Sequence, residues 1–224
     1  MKKVKQCGMM FPSERGEDMA CVIFGAGDFD SLRHISAKGD YVLAADAGWH
    51  HCRRAGLTPD LLLGDFDSMP EVPDFGSIRR APVRKDDTDM MLAVREGLAR
   101  GETVFHIYGG MGGERTDHTL ANLQALLYLA HHGARGWLYG THERYTALCG
   151  GEITLPRQEG IFSLFCMGQR VEGLSITGGD YLLTDAELSP EFPLGVSNHF
   201  VGQDVTVSLR QGDLVIGIHD GGGL

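Results

Sequence analysis

The chain has little of what disulfide-rich, membrane-spanning or nucleic-acid-binding proteins need. Its five cysteines are odd in number, scattered and without a C-x-x-C pair, which argues against a disulfide framework or a zinc ribbon and suits a reducing compartment. No apolar run approaches the ~20 residues that span a bilayer. With 20 Lys and Arg against 30 Asp and Glu, the formal net charge is -10, so the positive field that attracts nucleic acid is absent. We expect a soluble, cytoplasmic protein with no nucleic-acid or membrane partner.

The N-terminal segment also lacks a targeting pattern. The opening stretch MKKVKQCGMMFPSERGEDMA contains basic residues but no apolar run before Pro12 and Ser13, so we do not expect a signal peptide. The length of 224 residues suits one large domain or two modest ones, each with its own core.

Short apolar runs alternate with helical patterns from about Ala20 to Gly140. The runs CVIF, YVLAA, LLL, SIRRAPV, TVFHIYG and GWLYG are typical of strands, and the best of them are apolar throughout, as in a parallel sheet covered on both faces. Between them, FDSLRHISAKG, AGWHHCRRAGL, TDMMLAVREGLARG and TDHTLANLQALLYLAHHG predict helices, the last two followed by glycine C-caps. This alternation predicts an α/β domain with a largely parallel sheet over residues 1–143.

From about Thr141 the helical periodicity disappears. Runs such as ITLP, IFSLFCM, RVEGLSITG, DVTVSLRQG and DLVIGIHD are separated by Gly, Pro and Asp at spacings of roughly 8–12 residues, which is typical of all-β domains. The segment RQGD between the last two runs predicts a hairpin turn. We therefore predict a second, all-β domain of sandwich or barrel-like form over residues 144–224, with the joint near 141–150.

The stretch LLLGDFDSMP has two acids, Asp65 and Asp67, one residue apart after an apolar run. One interpretation is a strand that ends in a turn, since Asp and Ser bond nearby backbone groups and Pro70 stops the strand. The other starts from electrostatics, because two carboxylates this close raise each other's pKa or need a cation between them. Magnesium, which prefers hard oxygen ligands, is the usual cation when phosphates are also present.

Two single-motif candidates follow other predicted strands, at the carboxyl edge where open α/β folds bind ligands. FGAGD, from Phe24 to Asp28 with Gly25 behind the strand, is either a loop whose backbone approaches a ligand or an ordinary turn between strand and helix. Asp46 in AADAG is either a ligand contact or the N-cap of the next helix.

Two richer motifs lie at predicted helix starts. RKDDTDMMLAV places Lys85, Thr88 and Asp89 among further acids just before a helix; one or two acids suit the helix dipole, but three need compensating cations. YGGMGGERTDHTLAN is a Gly-rich loop that enters a helix near Thr116 or Asp117, and such a loop presents backbone N–H groups to phosphate. Arg115 can add a charge-assisted contact.

These motifs together predict an acidic edge facing a Gly-rich anion site. Acids beside a phosphate site are compatible when metal ions neutralise both, which indicates nucleoside triphosphate chemistry with magnesium. The histidines of HHC and HH lie on helix surfaces or ends and have no carboxylate at metal-ligand spacing. The six acids of the predicted edge are Asp46, Asp65, Asp67, Asp86, Asp89 and Asp117.

With these motifs in view, the sequence resembles the thiamine pyrophosphokinase family. The matching stretches, in family order, are AADAGWHHCRRAGLTPDLLLGDFDSMP, KDDTDMMLAV, GGERTDHTLANLQALL, GLSITGGDYLL and GVSNHF. The resemblance implies an α/β domain that binds ATP and magnesium and a β domain that binds thiamine. It also implies transfer of the ATP diphosphate to the thiamine hydroxyl, giving thiamine diphosphate and AMP, by a homodimer with active sites between its subunits.

The resemblance also implies roles for individual residues. The catalytic residues expected are Asp46, Asp65, Asp67 and Asp89, with the last three as metal ligands and Asp46 also contacting substrate. Nucleotide contacts are expected from Gly25, Asp28, Lys85, Thr88, Gly113, Arg115, Asp117 and Asn122. Thiamine contacts are expected from the aromatic Tyr181 and from the pair Ser197 and Asn198.

One departure from the family pattern is Glu114, which stands between Gly113 and Arg115 and lengthens the Gly-rich loop by one residue. Asp89 has two possible roles, as a metal ligand or as the acceptor of the hydroxyl proton. Two other functions use similar motifs. A phosphatase with an aspartyl nucleophile also has Asp-x-Asp after a strand, although there it follows the first strand of the fold, and a non-catalytic nucleotide sensor would keep the Gly-rich loops without clustered acids.

Overall fold

The computed structural model describes residues 19–33, 39–67, 69, 71–81 and 87–220. Two compact units account for them. One contains the residues up to Leu129 together with 134–141, and the other contains 130–133 and the residues from His142 onward. Within the described ranges, no helix is both long enough and apolar enough to cross a membrane.

A parallel sheet of six strands forms the centre of the first unit. All five pairings between neighbouring strands are parallel. Successive residues of the central strands are all buried, which explains why these runs are apolar at every position instead of alternating. The α/β fold predicted for this part is confirmed. In spatial order the strands are β6 (Arg135–Tyr139), β5 (Val104–Tyr108), β1 (Cys21–Phe24), β2 (Tyr41–Ala45), β3 (Leu61–Gly64) and β4 (Ile78–Arg80).

Three helices accompany this sheet in the described residues: α1 (Gly48–Arg54), α2 (Asp89–Arg100) and α3 (Thr116–His131). Helix α2 begins where the Thr88 hydroxyl accepts the Met91 N–H at 3.2 Å, which satisfies one of the N–H groups left unpaired at a helix start. It ends at Gly101, whose φ of +94° is the left-handed conformation that glycine adopts without strain.

The helix predicted for FDSLRHISAKG is wrong for its first part. Residues 29–33 form no regular structure, and residues 34–38 lie outside the described residues. The Asp30 carboxylate accepts the Ser31 N–H at 2.6 Å, a local side-chain-to-backbone bond that competes with helix formation. Phe29 is held instead by α1, because the Arg54 guanidinium donates to its carbonyl oxygen.

The second unit contains four antiparallel strands of one sheet and a separate sheet of four antiparallel strands, in agreement with the predicted all-β fold. In the strand Val205–Leu209 buried and half-buried residues alternate, the pattern of a strand with one face in the core. The first sheet has the order β12 (Asn198–His199), β9 (Gly160–Cys166), β14 (Leu214–Asp220) and β7 (Glu143–Leu148). The second has the order β11 (Leu183–Leu188), β10 (Val171–Thr177), β13 (Val205–Leu209) and β8 (Gly151–Leu155).

One local prediction for this unit is wrong, and one strand was not predicted. RQGD does not close a hairpin, because β13 pairs with β8 and β10 whereas β14 pairs with β7 and β9. The chain changes sheets there at Gly212, whose φ is +116°. Strand β7 lies within 141–150 and was not among the predicted strands, because Glu143, Arg144 and Thr146 make this run polar. The domain boundary between residues 143 and 144 stays a prediction.

Candidate active site

A cavity of about 450 Å³ opens at the carboxyl edge of the parallel sheet. Its walls come from the segments that follow β1, β2, β3 and β5 and from the first turns of α2 and α3. Segments from different strands meet there because parallel strands end at the same edge of a sheet. The position of the cavity therefore agrees with the edge predicted from the sequence.

Three carboxylates converge in this cavity. Asp46 follows β2, Asp65 follows β3 and Asp89 is the first residue of α2. One carboxylate oxygen of each lies within 4.8 Å of the other two, and all three side chains are half-buried. We call these three residues the acid cluster; among the described residues they are the group with the spacing of a metal site.

The backbone around Asp46 is specialised to hold its carboxylate in position. Asp46 has a φ of +46°, which is rare for a residue with a side chain. Its N–H donates to the Leu63 carbonyl oxygen at 2.9 Å, and its Oδ1 accepts the Phe66 N–H at 3.1 Å. A Cβ on Gly64 would lie 1.8 Å from that same oxygen. The motif GDFD therefore supplies the space and the hydrogen bond that orient Asp46.

The surroundings of Asp46 in the acid cluster disfavour its ionised form. Burial, a hydrogen bond with Asp89 and the charges of Asp89 and Asp65 raise the pKa of Asp46 from 3.8 to about 7. The Phe66 N–H acts in the opposite direction and does not offset these effects. Removal of charged carboxylates from water disfavours ionisation unless a cation compensates. A divalent cation, which prefers hard oxygen ligands, would supply the positive charge that the three carboxylates need.

Asp67 lies outside the acid cluster. It lines the same cavity but is exposed, and its N–H donates to Asp65 Oδ1 at 3.2 Å. The stretch GDFD therefore both takes part in a turn and supplies carboxylates to the site, so the two interpretations of this motif are compatible. The role of Asp67 as a metal ligand beside Asp65 stays a prediction.

Two glycine-containing loops form the opposite wall. The first glycine loop is Gly25–Asp28 and the second is Gly109–Gly113. Three backbone hydrogen bonds of 2.7 to 2.8 Å join them, from the N–H groups of Gly25, Gly27 and Asp28 to carbonyl oxygens at 108, 109 and 111. A Cβ on Gly25 would lie 2.6 Å from the Gly109 oxygen. Glycine is needed at position 25 because two backbones approach each other there; Gly25 also lines the cavity, and its contact with a nucleotide stays a prediction.

The other predicted nucleotide residues divide into cavity-lining and supporting groups. Thr88, Gly113 and Arg115 line the cavity, although the Thr88 hydroxyl is engaged as the α2 cap. Asp28 and Asp117 do not line it. The Asp28 carboxylate lies against Gly112, where a Cβ would be 2.0 Å from Asp28 Oδ2.

The start of α3 carries an exposed ion pair. Arg115 Nη2 donates to Asp117 Oδ2 at 2.6 Å, and this hydrogen bond, with the guanidinium charge, holds the pKa of Asp117 below its usual value. Asn122 is buried and lines the cavity, and its Nδ2 donates to the Gly110 oxygen at 2.6 Å, so it supports the second glycine loop. Predicted residues Lys85 and Asp86 lie outside the described residues.

The predicted thiamine residues lie in the second unit and form one local arrangement. The buried Asn198 side chain accepts the Tyr181 N–H at 2.9 Å and donates to the Tyr181 oxygen at 2.7 Å. The Tyr181 side chain itself is 67% exposed. Ser197 has a φ of +62°, and its N–H donates to Ser163 Oγ at 3.0 Å. Asn198 therefore holds the backbone of Tyr181 while the phenol ring projects into solvent.

Three cavity-lining residues with side chains larger than that of alanine were missed from the sequence: Met90, Glu114 and His118. A signal existed for His118, because it follows Asp117 in the first turn of α3. Glu114 was noted as an insertion without a role. Met90 is an apolar residue in a helical pattern, and nothing in its local sequence distinguishes it from an ordinary core residue.

Comparison with known proteins gives a consistent result. The family model described as thiamin pyrophosphokinase, catalytic domain, matches residues 32–138. A second model, thiamin pyrophosphokinase, vitamin B1 binding domain, matches residues 152–214. A thiamine pyrophosphokinase from Bacillus subtilis (strain 168) is 26% identical over 182 residues, which cover 78% of this chain and 85% of that protein.

Solved structures agree. A crystal structure of thiamin pyrophosphokinase from Geobacillus thermodenitrificans matches with a TM-score of 0.80 and 25% identity, covering 90% of this chain and 98% of that one. The structure from Bacillus subtilis gives a TM-score of 0.81 at 23% identity over 90% of this chain and 99% of that one. A yeast thiamin pyrophosphokinase shares the fold at 12% identity, with a TM-score of 0.70 over 92% and 87% of the two chains.

Proposed function

The chain belongs to the thiamin pyrophosphokinase family, whose known reaction is the transfer of the ATP diphosphate group to thiamine, and we propose that the acid cluster is where this chain performs it. The observation that carries the proposal is the convergence of Asp46, Asp65 and Asp89 in a cavity walled by two glycine loops. Glycine backbone allows phosphate to approach, and clustered carboxylates hold the cation that phosphate chemistry needs.

We propose magnesium as the cation, held by Asp65 and Asp67 beside Asp46, with Asp89 either as a further ligand or as the acceptor of the hydroxyl proton. The donor set fits, because three carboxylate oxygens within 4.8 Å of one another match the oxygen ligands and the charge that magnesium prefers. The raised pKa of Asp46 supports the same proposal, because burial and neighbouring carboxylates disfavour its ionised form unless a cation is near. When bound, magnesium would neutralise the charge that develops on the transferred phosphates.

The residues of the chain would mainly hold and orient the reactants. In the proposed reaction the thiamine hydroxyl oxygen forms a bond to the β-phosphorus of ATP, and the bond from that phosphorus to the α,β-bridging oxygen breaks to release AMP. The hydroxyl proton passes to a carboxylate of the acid cluster, for which Asp89 is our candidate where it is not a metal ligand. The two glycine loops and Arg115 would hold the phosphates in line with the hydroxyl.

We propose that Tyr181 binds thiamine and that the protein works as a homodimer. The exposed Tyr181 ring, with its backbone fixed by Asn198, suits the cationic thiazolium ring of thiamine, which prefers an aromatic face. Large apolar side chains are exposed in the same unit, which is unusual unless they are covered by a partner or a ligand. The exposed apolar residues in question are Leu182, Phe192, Leu194, Val196 and Val201. A cytoplasmic setting, where ATP is available, completes the proposal.

Product analysis tests the proposed function. The purified protein is incubated with ATP, magnesium chloride and thiamine, and the products are separated by chromatography. We expect AMP and thiamine diphosphate in equal amounts, with neither formed when magnesium is removed by a chelator. ADP with thiamine monophosphate would contradict diphosphate transfer, and ATP binding without any product would favour the nucleotide sensor instead.

A further inference from the structure

His51 contacts both glycine loops from behind the cavity. It lies in α1, five residues after Asp46, and its side chain is half-buried. Its Nε2 lies 2.8 Å from the Gly27 carbonyl oxygen in the first loop. A Cβ on Gly109 in the second loop would lie 3.2 Å from His51 Cδ2, so the imidazole also packs directly against that loop.

The bond to Gly27 fixes the protonation pattern of the ring. A carbonyl oxygen only accepts, so Nε2 carries the hydrogen and donates it. Burial lowers the pKa of His51, which agrees with a neutral ring that donates from Nε2 at physiological pH. The Phe29 ring, 5.4 Å away between centroids, covers the imidazole on another side.

A continuous series of contacts leads from α1 to the nucleotide side of the cavity. His51 holds the Gly27 oxygen, and one turn later in the same helix Arg54 donates to the Phe29 oxygen. The segment thus held donates in turn from Gly27 and Asp28 to the second glycine loop, at 2.7 and 2.8 Å. Helix α1 follows Asp46 directly, so one short helix connects the acid cluster to both loops.

We propose that His51 is a positioning residue for the nucleotide: its Nε2–H holds the first glycine loop, and through it the second, at the distance from the acid cluster that the ATP phosphates require. The inference rests on the proposed function, since it takes the cavity to be the ATP site. His51 itself does not line the cavity and makes no contact with the reacting atoms. Its effect is on the geometry of loops that do.

Binding of α,β-methylene-ATP with magnesium, measured by calorimetry without thiamine, tests this role. His51→Leu keeps similar volume but removes the donor, and we expect it to weaken binding about five- to tenfold, the effect of one lost hydrogen bond to backbone. His51→Gln keeps an N–H donor at similar reach, so its dissociation constant should stay within about twofold of the unmodified protein. His50→Leu is the matched control, because His50 is exposed on the same helix, and we expect no change.

Kinetics separates positioning from a loss of folded structure. In His51→Leu the KM for ATP should rise while the KM for thiamine stays constant, and melting temperatures confirm that each variant is folded. If His51→Leu does not fold, His51→Asn, whose amide is too short to reach Gly27, takes its place.

Three results would overturn the proposal: unchanged binding in His51→Leu, equal weakening in His50→Leu, or a Gln variant as weak as the Leu variant. Failure of the proposed function is detected separately, as absence of AMP from the unmodified protein.

Discussion

Gly64 illustrates how a single missing side chain shapes the acid cluster. With a φ of +150° and a Cβ position only 1.8 Å from Asp46 Oδ1, it leaves space that any other residue would fill. Asp46 and Phe66 both have positive φ in the same region, and such conformations cost energy that the surrounding structure must supply. Strained backbone close to clustered carboxylates is typical of functional sites. The GDFD motif therefore combines space, strain and charge within four residues.

Asp65→Asn tests the acid cluster. The change keeps shape, and also the oxygen that accepts the Asp67 N–H, but removes one charge. Turnover should fall by orders of magnitude, because neutralisation of phosphate charge by a bound metal is worth several kcal/mol. The melting temperature without ligand should stay level or rise, since like-charge repulsion is relieved, and the stabilisation by magnesium-ATP should shrink. Turnover assays and thermal unfolding on the same preparations measure these effects.

Asp67→Asn is the matched comparison for that variant. Asp67 is exposed and outside the acid cluster, so it would contribute to turnover only by contacting a ligand or metal bound in the cavity that it lines. A stable Asp67→Asn protein with full activity would contradict its role as a metal ligand. Equal losses in both variants would support the shared metal site predicted from the sequence.

The pH dependence of stability reports on Asp46. Its pKa is about 7 in the folded protein against an ordinary 3.8, so between these values the folded state binds more protons than the unfolded state. The stabilisation is fully present below the ordinary value and is lost as pH rises through about 7, which means that the free energy of unfolding falls across this range. Urea unfolding of the metal-free protein from pH 4 to 8 measures it. Asp46→Asn should flatten this fall, and an unchanged slope in the variant would contradict the assignment.

At the scale of elements, the first turn of α2 links helix capping to the site. Thr88 caps the helix and Asp89, the next residue, belongs to the acid cluster. The position of Asp89 therefore depends on whether this turn is formed. The capping bond of Thr88 and the Asp89 carboxylate of the acid cluster belong to the same helical turn. The start of α3 is different, since Arg115 and Asp117 are both exposed and pair with each other.

Thr88→Ala tests the link between cap and site. Loss of an N-cap costs about 1 kcal/mol, so the midpoint of urea unfolding should decrease. Turnover should fall as well, because the frayed turn no longer fixes Asp89. Thr88→Ser retains the hydroxyl and should behave as the unmodified protein in both measurements. A stability loss with unchanged turnover would show that the cap and the site are independent.

Tyr181→Ala tests the thiamine side in the second unit. A cation over an aromatic face is worth roughly 0.5–2 kcal/mol, so the KM for thiamine should rise about tenfold while the KM for ATP stays nearly constant. Tyr181→Phe keeps the ring and should retain most of the affinity. If only the KM for ATP changes, the assignment of Tyr181 to thiamine is wrong. Steady-state kinetics with each substrate varied in turn decides this.

At the scale of the whole molecule, the exposed apolar side chains of the second unit are the basis for the proposed homodimer, in which a second copy of the chain would bury them. Leu194→Glu should shift the protein from dimer to monomer in sedimentation velocity, because a buried, unpaired charge is strongly unfavourable in an interface. Leu120→Glu is the matched control, since Leu120 is a similarly exposed leucine, 56% against 52%, in the first unit. A fully active monomer in the unmodified protein at micromolar concentration would contradict the homodimer.

The sequence by itself determined the elements whose cause is local. Continuous apolar runs such as LLL predicted buried parallel strands, Thr88 and Gly101 delimited α2, and the motifs GDFD and DHTLAN indicated the family and the sheet edge that carries the site. These predictions succeed because strand burial, capping and turn formation depend on neighbouring residues. The spacing of Asp65 and Asp67 also indicated a carboxylate site, and Asp65 does lie in the acid cluster.

Only the tertiary structure decided which distant residues meet. Asp46, Asp65 and Asp89 form the acid cluster because β2, β3 and the start of α2 are adjacent in space, whereas Asp67, only two residues after Asp65, lies outside it. The pairing of β13 and β14 with different sheets, and the contact of His51 with Gly27, have the same origin. Such contacts arise from the packing of elements far apart in the chain, which the local pattern of residues does not encode.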